Sequence, residues 1–581
     1  LDSIKKLNYP GMPLKAFRLL PANFQIQTYE DIKPIFETLE NRVIPSEAEF
    51  RNFILDFDEI RSYLQEDFAW RYIRMTCDTS DEKSAAEYSA YLKDIFPGCE
   101  TAENIILKKI KNSPWFEQLN GQGYDIYKRN LANRIDLFRE ENLTLIARNS
   151  ELGQEYDTLI GAQEIELEGK KYTAQQALKE LEKPDRARRS FVWFKVNDRR
   201  TKDADKIHSL LDELLENRIK IAQNAGFESF TGYRFRELER FDYSEKDCLA
   251  FHNAVETSIL PVATRIWNWR KKQLNLQELK PWDLSVDPLG KELSAPFSNE
   301  KDLVEKTILT FTSIRPELGE MISTMYAKGY MDLESRPGKA PGGYNYPLMV
   351  SGIPFIFMNA AGRQDDVITM IHEGGHAVHS FLTNNLEISD FKSTTAEVAE
   401  IASMAMEQMA LFNGQAFYPD PEIHRMARLS HLCNCITILP WIATVDAYQF
   451  WLYSNPGHSR EEREQEWTKT YTRFHGNSID WVGQEKYLAL FWQKQPHIFD
   501  VPFYYIEYGF AQLGALAIFR NYRKNPQTGV EGYLEALKMG YTDTIPSIYN
   551  KAGIEFDFSG SYMDEIASFV LAELELLGVK A

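Results

Sequence analysis

His372-Glu373-Gly374-Gly375-His376 reads as part of an α-helix whose glycine pair calls for a close approach by another helix or by substrate backbone. Two histidines four residues apart face the same side when 3.6 residues make a turn. They can then share one zinc ion. The intervening glutamate stands beside it, free to take a proton from a water bound to that ion. Gly374 and Gly375 each cost a helix interior about 1 kcal/mol relative to alanine. Close approach of another helix or of substrate backbone must justify them. Val367, Ile371, Val378 and Leu382 draw one apolar stripe at helical spacing, and His372, His376 and His379 form the neighbouring stripe. Asp365 and Asp366 suit the helix start. The plain alternative is a helix whose histidines belong to the surface or the core.

Zinc needs a third protein ligand and an open fourth place. The pattern H-E-x-x-H-x-x-G-x-x-H is ruled out, because position 379 is His and position 382 is Leu. The other solution is a glutamate on a later helix. Thr394 to Glu407 reads as a strong helix with Glu397, Glu400 and Glu407 on one face, at spacings of three and seven. Periodicity does not choose among them, and surface salt-bridge helices look the same.

The rest of the chain reads as mainly α. At 581 residues it exceeds one ordinary core, so two lobes or a large elaborated domain are expected. A helical N-terminal lobe over 1–190 and a catalytic region over 191–581 is the expected division. Hydrophobic content of 44% excludes a disordered chain. A net charge of −19 argues against nucleic acid and against an anionic membrane surface. Five scattered cysteines make no disulfide framework and fit a reducing compartment, hence a cytoplasmic protein. The chain begins at Leu1 without Met, so processing is open, and no secretory apolar region stands at the N-terminus. Cys435 to Val445, the most apolar run, is too short to span a bilayer. Nothing in the sequence sets the oligomeric state. Ala204–Ala225, Val304–Leu318, Arg425–Tyr453 and Tyr562–Leu577 read as helices, and 278–300 as a loop.

One segment departs from the helical pattern. Tyr344–Val350 and Ile353–Asn359 flank Ser351-Gly352 and read as a β-hairpin, with Pro347 and Pro354 confining the strands to edges or ends. An edge strand just before the histidine helix can pair with an extended peptide. A purely structural hairpin is the alternative.

A second cluster, His497 through Gly509, is rich in hydrogen-bond donors. A hydrolase must stabilise the oxyanion of a tetrahedral intermediate, and phenol O–H and imidazole N–H groups suit that task. A helix starting near Pro502 puts Tyr505 and Tyr508 on one face and leaves Phe503, Phe510, Leu513 and Ile518 for the core, with His497 on the preceding loop. A helix buried for packing is the alternative.

These segments resemble the thimet oligopeptidase and oligoendopeptidase F family of zinc metallopeptidases, on its bacterial oligoendopeptidase F side. Gly338-Lys339-Ala340-Pro341-Gly342-Gly343-Tyr344, His372 to His379, and His497 to Gly509 carry the resemblance. Pro184 to Arg189 and Asn224 to Glu228 also look like the family, so the likeness runs from about residue 160 to the C-terminus. It implies one zinc per chain, with Glu400 favoured over Glu397 as the third ligand and Glu407 as an outer partner of a ligand histidine. It implies that His497, Tyr505 and Tyr508 grip substrate and stabilise the oxyanion, with Tyr504 leaving an ambiguity of register. Gly343, Tyr344, His379 and Tyr504 are the expected substrate contacts. Gly374 stands where relatives often carry a bulky residue, which is expected to widen the site. The family implies two helical lobes flanking a deep groove that admits short peptides, with a small sheet beside the zinc helix. The expected activity is hydrolysis of internal bonds in short unfolded peptides, with Glu373 as general base. The rival readings are a dipeptidyl carboxypeptidase-type exopeptidase and a non-catalytic peptide-binding protein.

Overall fold

The structure is a computed structural model that describes residues 17–21, 23–290 and 295–579. The chain forms two compact units, each assembled from separated stretches. The first takes in residues up to Ile135, Ser294–Ala427 and Gly514–Phe556. The second takes in Asp136–Leu293, Arg428–Leu513 and Asp557–Ala581. Helices dominate both, as the periodicity predicts.

In the first unit the Glu47–Cys77 helix buries Phe50, Phe53, Ile54, Phe57 and Ile60 in a core shared with residues of the Tyr29–Asn41 and Phe96–Lys111 helices. Its far end braces a small three-stranded sheet. There Glu66 accepts the backbone N–H groups of Val350 (2.6 Å) and Ser351 (2.7 Å) and the indole N–H of Trp70 (3.3 Å). The sheet has Phe355–Ala360 in the centre, Met331–Glu334 parallel on one side and Tyr344–Tyr346 antiparallel on the other. The hairpin expected around Ser351-Gly352 is therefore present, but its first strand stops at Tyr346. Pro347 has no N–H to continue the ladder. The Met331–Glu334 strand was not anticipated.

The Gln364–Thr383 helix follows that sheet. Asp366 caps it, accepting from the backbone N–H groups of Ala361 (2.7 Å) and Arg363 (2.8 Å). Val367, Ile371 and Val378 are fully buried, each worth about 1.5–3 kcal/mol, while Leu382 near the helix end is half-buried. The glycines answer to two different neighbours. A Cβ on Gly375 would lie 2.6 Å from the Ala402 carbonyl oxygen and 2.7 Å from Ser403 Cα, both backbone atoms of the Ala396–Phe412 helix. A Cβ on Gly374 would lie 2.7 Å from the Phe311 ring. The expected widening of the site at Gly374 is thus corrected, because that position faces the core and the Phe311 ring fills the space.

Gly375→Ala sets two effects against each other. Alanine gains about 1 kcal/mol of helix propensity. Overpacking against backbone that cannot rotate away costs about 1–3 kcal/mol. Overpacking is expected to win, lowering the melting temperature and parting the two helices. An unchanged or raised melting temperature would show that the helices yield freely.

Two further expectations change. The Val304–Leu318 helix is two helices, Glu300–Ile314 and Pro316–Ala327, because Arg315 before Pro316 is forced extended (φ −158°, ψ 132°). A second hairpin, Glu164–Leu167 with Lys170–Thr173, was missed. Its two-residue turn places Glu168 at φ 54° and Gly169 at φ 76°, the left-handed pair that tight hairpins need.

In the second unit the Ala204–Asn224 helix buries Ile207, Leu211, Leu214 and Leu215. Pro184 to Arg189 also has a structural role. Asp185 caps the Arg186–Thr201 helix, and Arg186 and Arg189 both pair with fully buried Asp283, at 2.8 and 2.9 Å. The five cysteines are buried and form no disulfide with one another. Among the described residues no helix is long and apolar enough to cross a membrane.

Candidate metal centre

His372 and His376 project from one side of the Gln364–Thr383 helix, with ring centroids 4.9 Å apart. The Ala396–Phe412 helix crosses at Gly375 and brings Glu400 to both. Glu400 Oε2 lies 3.4 Å from His372 Nε2 and 3.7 Å from His376 Nε2. One ligand atom from each of the three residues lies within 4.8 Å of the others, and among the described residues this is the one such group of potential metal ligands. Glu397 is buried on the same helix but stands outside that group.

The surrounding bonds prepare the three donors. Glu407 Oε1 accepts from His372 Nδ1 at 2.5 Å, which leaves Nε2 turned toward Glu400. The Ser403 hydroxyl donates to the Glu400 carboxylate at 3.1 Å. Ser403 follows Glu400 by one helical turn, a spacing that the sequence contains and that was not singled out.

The electrostatics are those of crowded carboxylates and imidazoles. Burial pushes the His372 pKa down, but the bond to Glu407 and the charges of Glu407, Glu400 and Glu373 outweigh it and lift the pKa to about 9. Burial, with the His372 and His379 charges, holds His376 well below its ordinary value. Burial raises Glu400. Burial also drives Glu373 up to about 7, with the Glu400 charge adding and His372 opposing. Two nitrogens and one oxygen, with the second nitrogen of one imidazole held by a carboxylate, are the donor set and support that zinc favours.

The sheet lies beside this cluster. Asn345 Nδ2 donates to the Glu373 carbonyl at 3.4 Å. Strand alternation puts Tyr344 and Tyr346 on the opposite face. Tyr344 stacks on Phe357 at 4.8 Å, and its hydroxyl bonds Thr76 at 2.6 Å, so only its main chain faces the open edge of the sheet. A Cβ on Gly343 would press on Thr369 (3.1 Å), which keeps this stretch close to the histidine helix. A cavity of about 320 Å³ opens on His376 and His379 and is lined also by Asn345, Leu348, Pro354 and Asn384. His379 is buried, with its pKa pushed down to about 4, and its Nε2 takes no hydrogen bond.

The other expected residues gather in the second unit. His497 sits on a short helix, Pro496–Asp500, rather than on a loop, because Pro496 can open a helical turn without a missing donor. The following helix begins at Tyr505, three residues later than Pro502 suggested. Between them Phe503 is fully buried in the left-handed region at φ 64°, a costly conformation for a bulky residue. Gln449 Oε1 accepts its N–H at 2.9 Å and Arg240 donates to its carbonyl at 2.5 Å, so both ends of the strained peptide are held. The His497 ring centroid lies 4.6 Å from Tyr505, 5.9 Å from Tyr508 and 6.4 Å from Tyr504. Burial pushes His497 down to about 4 and Tyr505 up to about 12. Gln495, whose Nε2 lies 2.7 Å from His497 Nδ1, and Trp441, which donates to Gln495 Oε1 at 3.0 Å, were missed. Nothing in helical or strand periodicity marks them.

Two crossing helices that converge two imidazoles and a carboxylate, with a second buried glutamate beside the first histidine, define a candidate metallopeptidase centre on a mainly helical frame. The chain belongs to peptidase family M3: the family model matches residues 180–568, and that of the M3 N-terminal domain matches residues 21–138. It is similar to oligopeptidase PepF of Bacillus subtilis, with 24% identity over 52% of this chain and 45% of that protein. It is also similar to the chromosomal oligoendopeptidase F of Lactococcus lactis subsp. cremoris, with 25% identity over 55% of this chain and 52% of that protein. These matches span about half the length of the curated relatives. PZ peptidase A, solved with an inhibitor, shares the fold at a TM-score of 0.88 and 24% identity, over 96% of this chain and 99% of that one.

Proposed function

We propose that the protein is a zinc-dependent endopeptidase that hydrolyses internal bonds of short unfolded peptides. The convergence of His372, His376 and Glu400, with Glu373 buried beside them, carries this reading. His372, His376 and Glu400 would hold one zinc ion. When bound, zinc supplies Lewis-acid polarisation of the attacking water and of the scissile carbonyl. Glu373 takes the proton of the attacking water and delivers it to the leaving nitrogen. A carboxyl near neutrality suits a group that must do both. Glu407 keeps His372 in the ligating orientation through Nδ1. The edge strand at Tyr344–Tyr346 offers main-chain groups to an extended peptide, with Gly343, His379 and Tyr504 as further substrate contacts. His497, Tyr505 and Tyr508 donate to the oxyanion, and losing one such donor should cost roughly 10²–10³ in turnover. Buried thiols without disulfides suit a reducing compartment, so we assign the protein to the cytoplasm.

A peptide blocked at both ends tests the reading. An endopeptidase cuts it, loses that activity on exhaustive chelation and regains it with added zinc. An exopeptidase leaves the blocked peptide intact. Capture of peptides without cleavage by the zinc-loaded protein would support a binding role instead.

Glu407→Ala tests the outer support. Removing the carboxylate that holds a ligand imidazole typically costs 10–100-fold in metal affinity. Competition with a zinc chelator is expected to show that loss in a folded protein. Unchanged affinity would mean that Glu407 holds nothing that matters to the metal.

A further inference from the structure

We infer that Gln495 is a positioning residue that locks His497 in the Nε2–H tautomer, so that the imidazole can act only as a hydrogen-bond donor. The inference deepens the proposed function and rests on its assignment of His497 as a donor to substrate.

The argument starts from Trp441. An indole nitrogen donates and never accepts. Trp441 Nε1 donates to Gln495 Oε1 at 3.0 Å, which decides which end of the amide points which way. The Gln495 Nε2 amide must then face His497, and it lies 2.7 Å from Nδ1. An amide NH₂ also donates and never accepts, so Nδ1 must present its lone pair. In a neutral imidazole the single proton is then on Nε2. Each step follows from donor chemistry, and none requires a hydrogen to be seen.

Two further observations agree. Burial holds His497 neutral at physiological pH, and no charged group contributes to that shift. The rings that face it belong to Tyr504, Tyr505 and Tyr508. Nε2 takes no partner among the described residues, so its proton remains available. Gln495 is itself buried, which shields the relay from water. Water at Nδ1 could accept as well as donate and would release the choice of tautomer.

Gln495→Glu and Gln495→Met separate tautomer control from packing. Glutamate keeps the shape of glutamine and the bond to Trp441, but it accepts from Nδ1 and draws the proton there. Methionine breaks the Trp441 bond but leaves both tautomers open. At alkaline pH, where the neutral imidazole dominates, Gln495→Glu should turn over roughly tenfold or more slowly than Gln495→Met, as expected for a lost oxyanion donor. It should recover as the pH falls and the imidazolium regains an Nε2 proton. A packing role predicts the opposite order, because glutamate is the closer replacement, and no such recovery.

The nitrogen-15 spectrum of the histidine-labelled protein gives a readout independent of activity. The signals lost in His497→Ala identify His497. The wild type should show a protonated Nε2 and a bare Nδ1, and Gln495→Glu should show the reverse at alkaline pH. A bare Nε2 in the wild type, or the same pattern in both proteins, overturns the inference. Wild-type turnover in His497→Ala would instead remove the donor reading of His497, while the spectrum would still decide the tautomer.

Discussion

Glu373→Gln is expected to yield a folded, zinc-loaded protein with turnover reduced by about 10²–10⁴ or more, the range for loss of a positioned acid–base group. The substitution keeps size and shape at a side chain only 6% exposed. The Asn345 backbone N–H faces the Glu373 carboxylate, and the amide oxygen of glutamine can still accept from it. Glu373 is also not one of the three converging ligands, so metal content should hold. Its backbone carbonyl still accepts from Asn345, so the strand should stay seated on the helix. What disappears is a group able to take a proton and return it, since an amide does neither near neutrality. Metal analysis and peptide turnover on the same preparation decide the matter. Full zinc content with ordinary activity would remove Glu373 from the chemistry.

Glu400→Ala and Glu397→Ala are expected to part completely. The first takes one of three ligands from the cluster, leaving two imidazoles too few to hold zinc against a chelator. Metal and activity should be lost together. The second removes a carboxylate one helical turn earlier, outside the group of ligand atoms. Metal should be retained, with at most a stability cost from the space left in a tightly packed helix. Zinc content after dialysis against a chelator is the measurement. Zinc loss from Glu397→Ala with retention in Glu400→Ala would exchange the two assignments.

Much of the centre was legible because helical periodicity is local. The spacing of His372 and His376, the apolar stripe through Val367, Ile371 and Val378, and the acidic start at Asp365 and Asp366 all follow from 3.6 residues per turn. The glycine pair announced a close neighbour for the same reason, a propensity cost without local return. Which neighbour was a different matter. Gly375 meets a helix backbone and Gly374 a phenylalanine ring 63 positions earlier in the chain, and adjacent residues with the same side chain read alike. The break at Pro316 and the turn at Glu168-Gly169 were written in residue types and could have been read. The left-handed Phe503 could not, because its conformation is imposed by Arg240 and Gln449 from elsewhere in the second unit.

By itself, the sequence determined that this chain is mainly helical and that one helix presents two imidazoles on one face with a carboxylate beside them. It also determined that a donor-rich segment lies near residue 500. Helical periodicity left Glu397, Glu400 and Glu407 open, and the family resemblance favoured Glu400 with Glu407 behind it. The tertiary structure brings Glu400 to the two histidines, puts Glu407 on His372 Nδ1, and sets Gln495 between Trp441 and His497. Periodicity specifies which residues share a face of one helix. Which side chains meet across two helices depends on where their backbones cross, and that is settled only when distant segments pack.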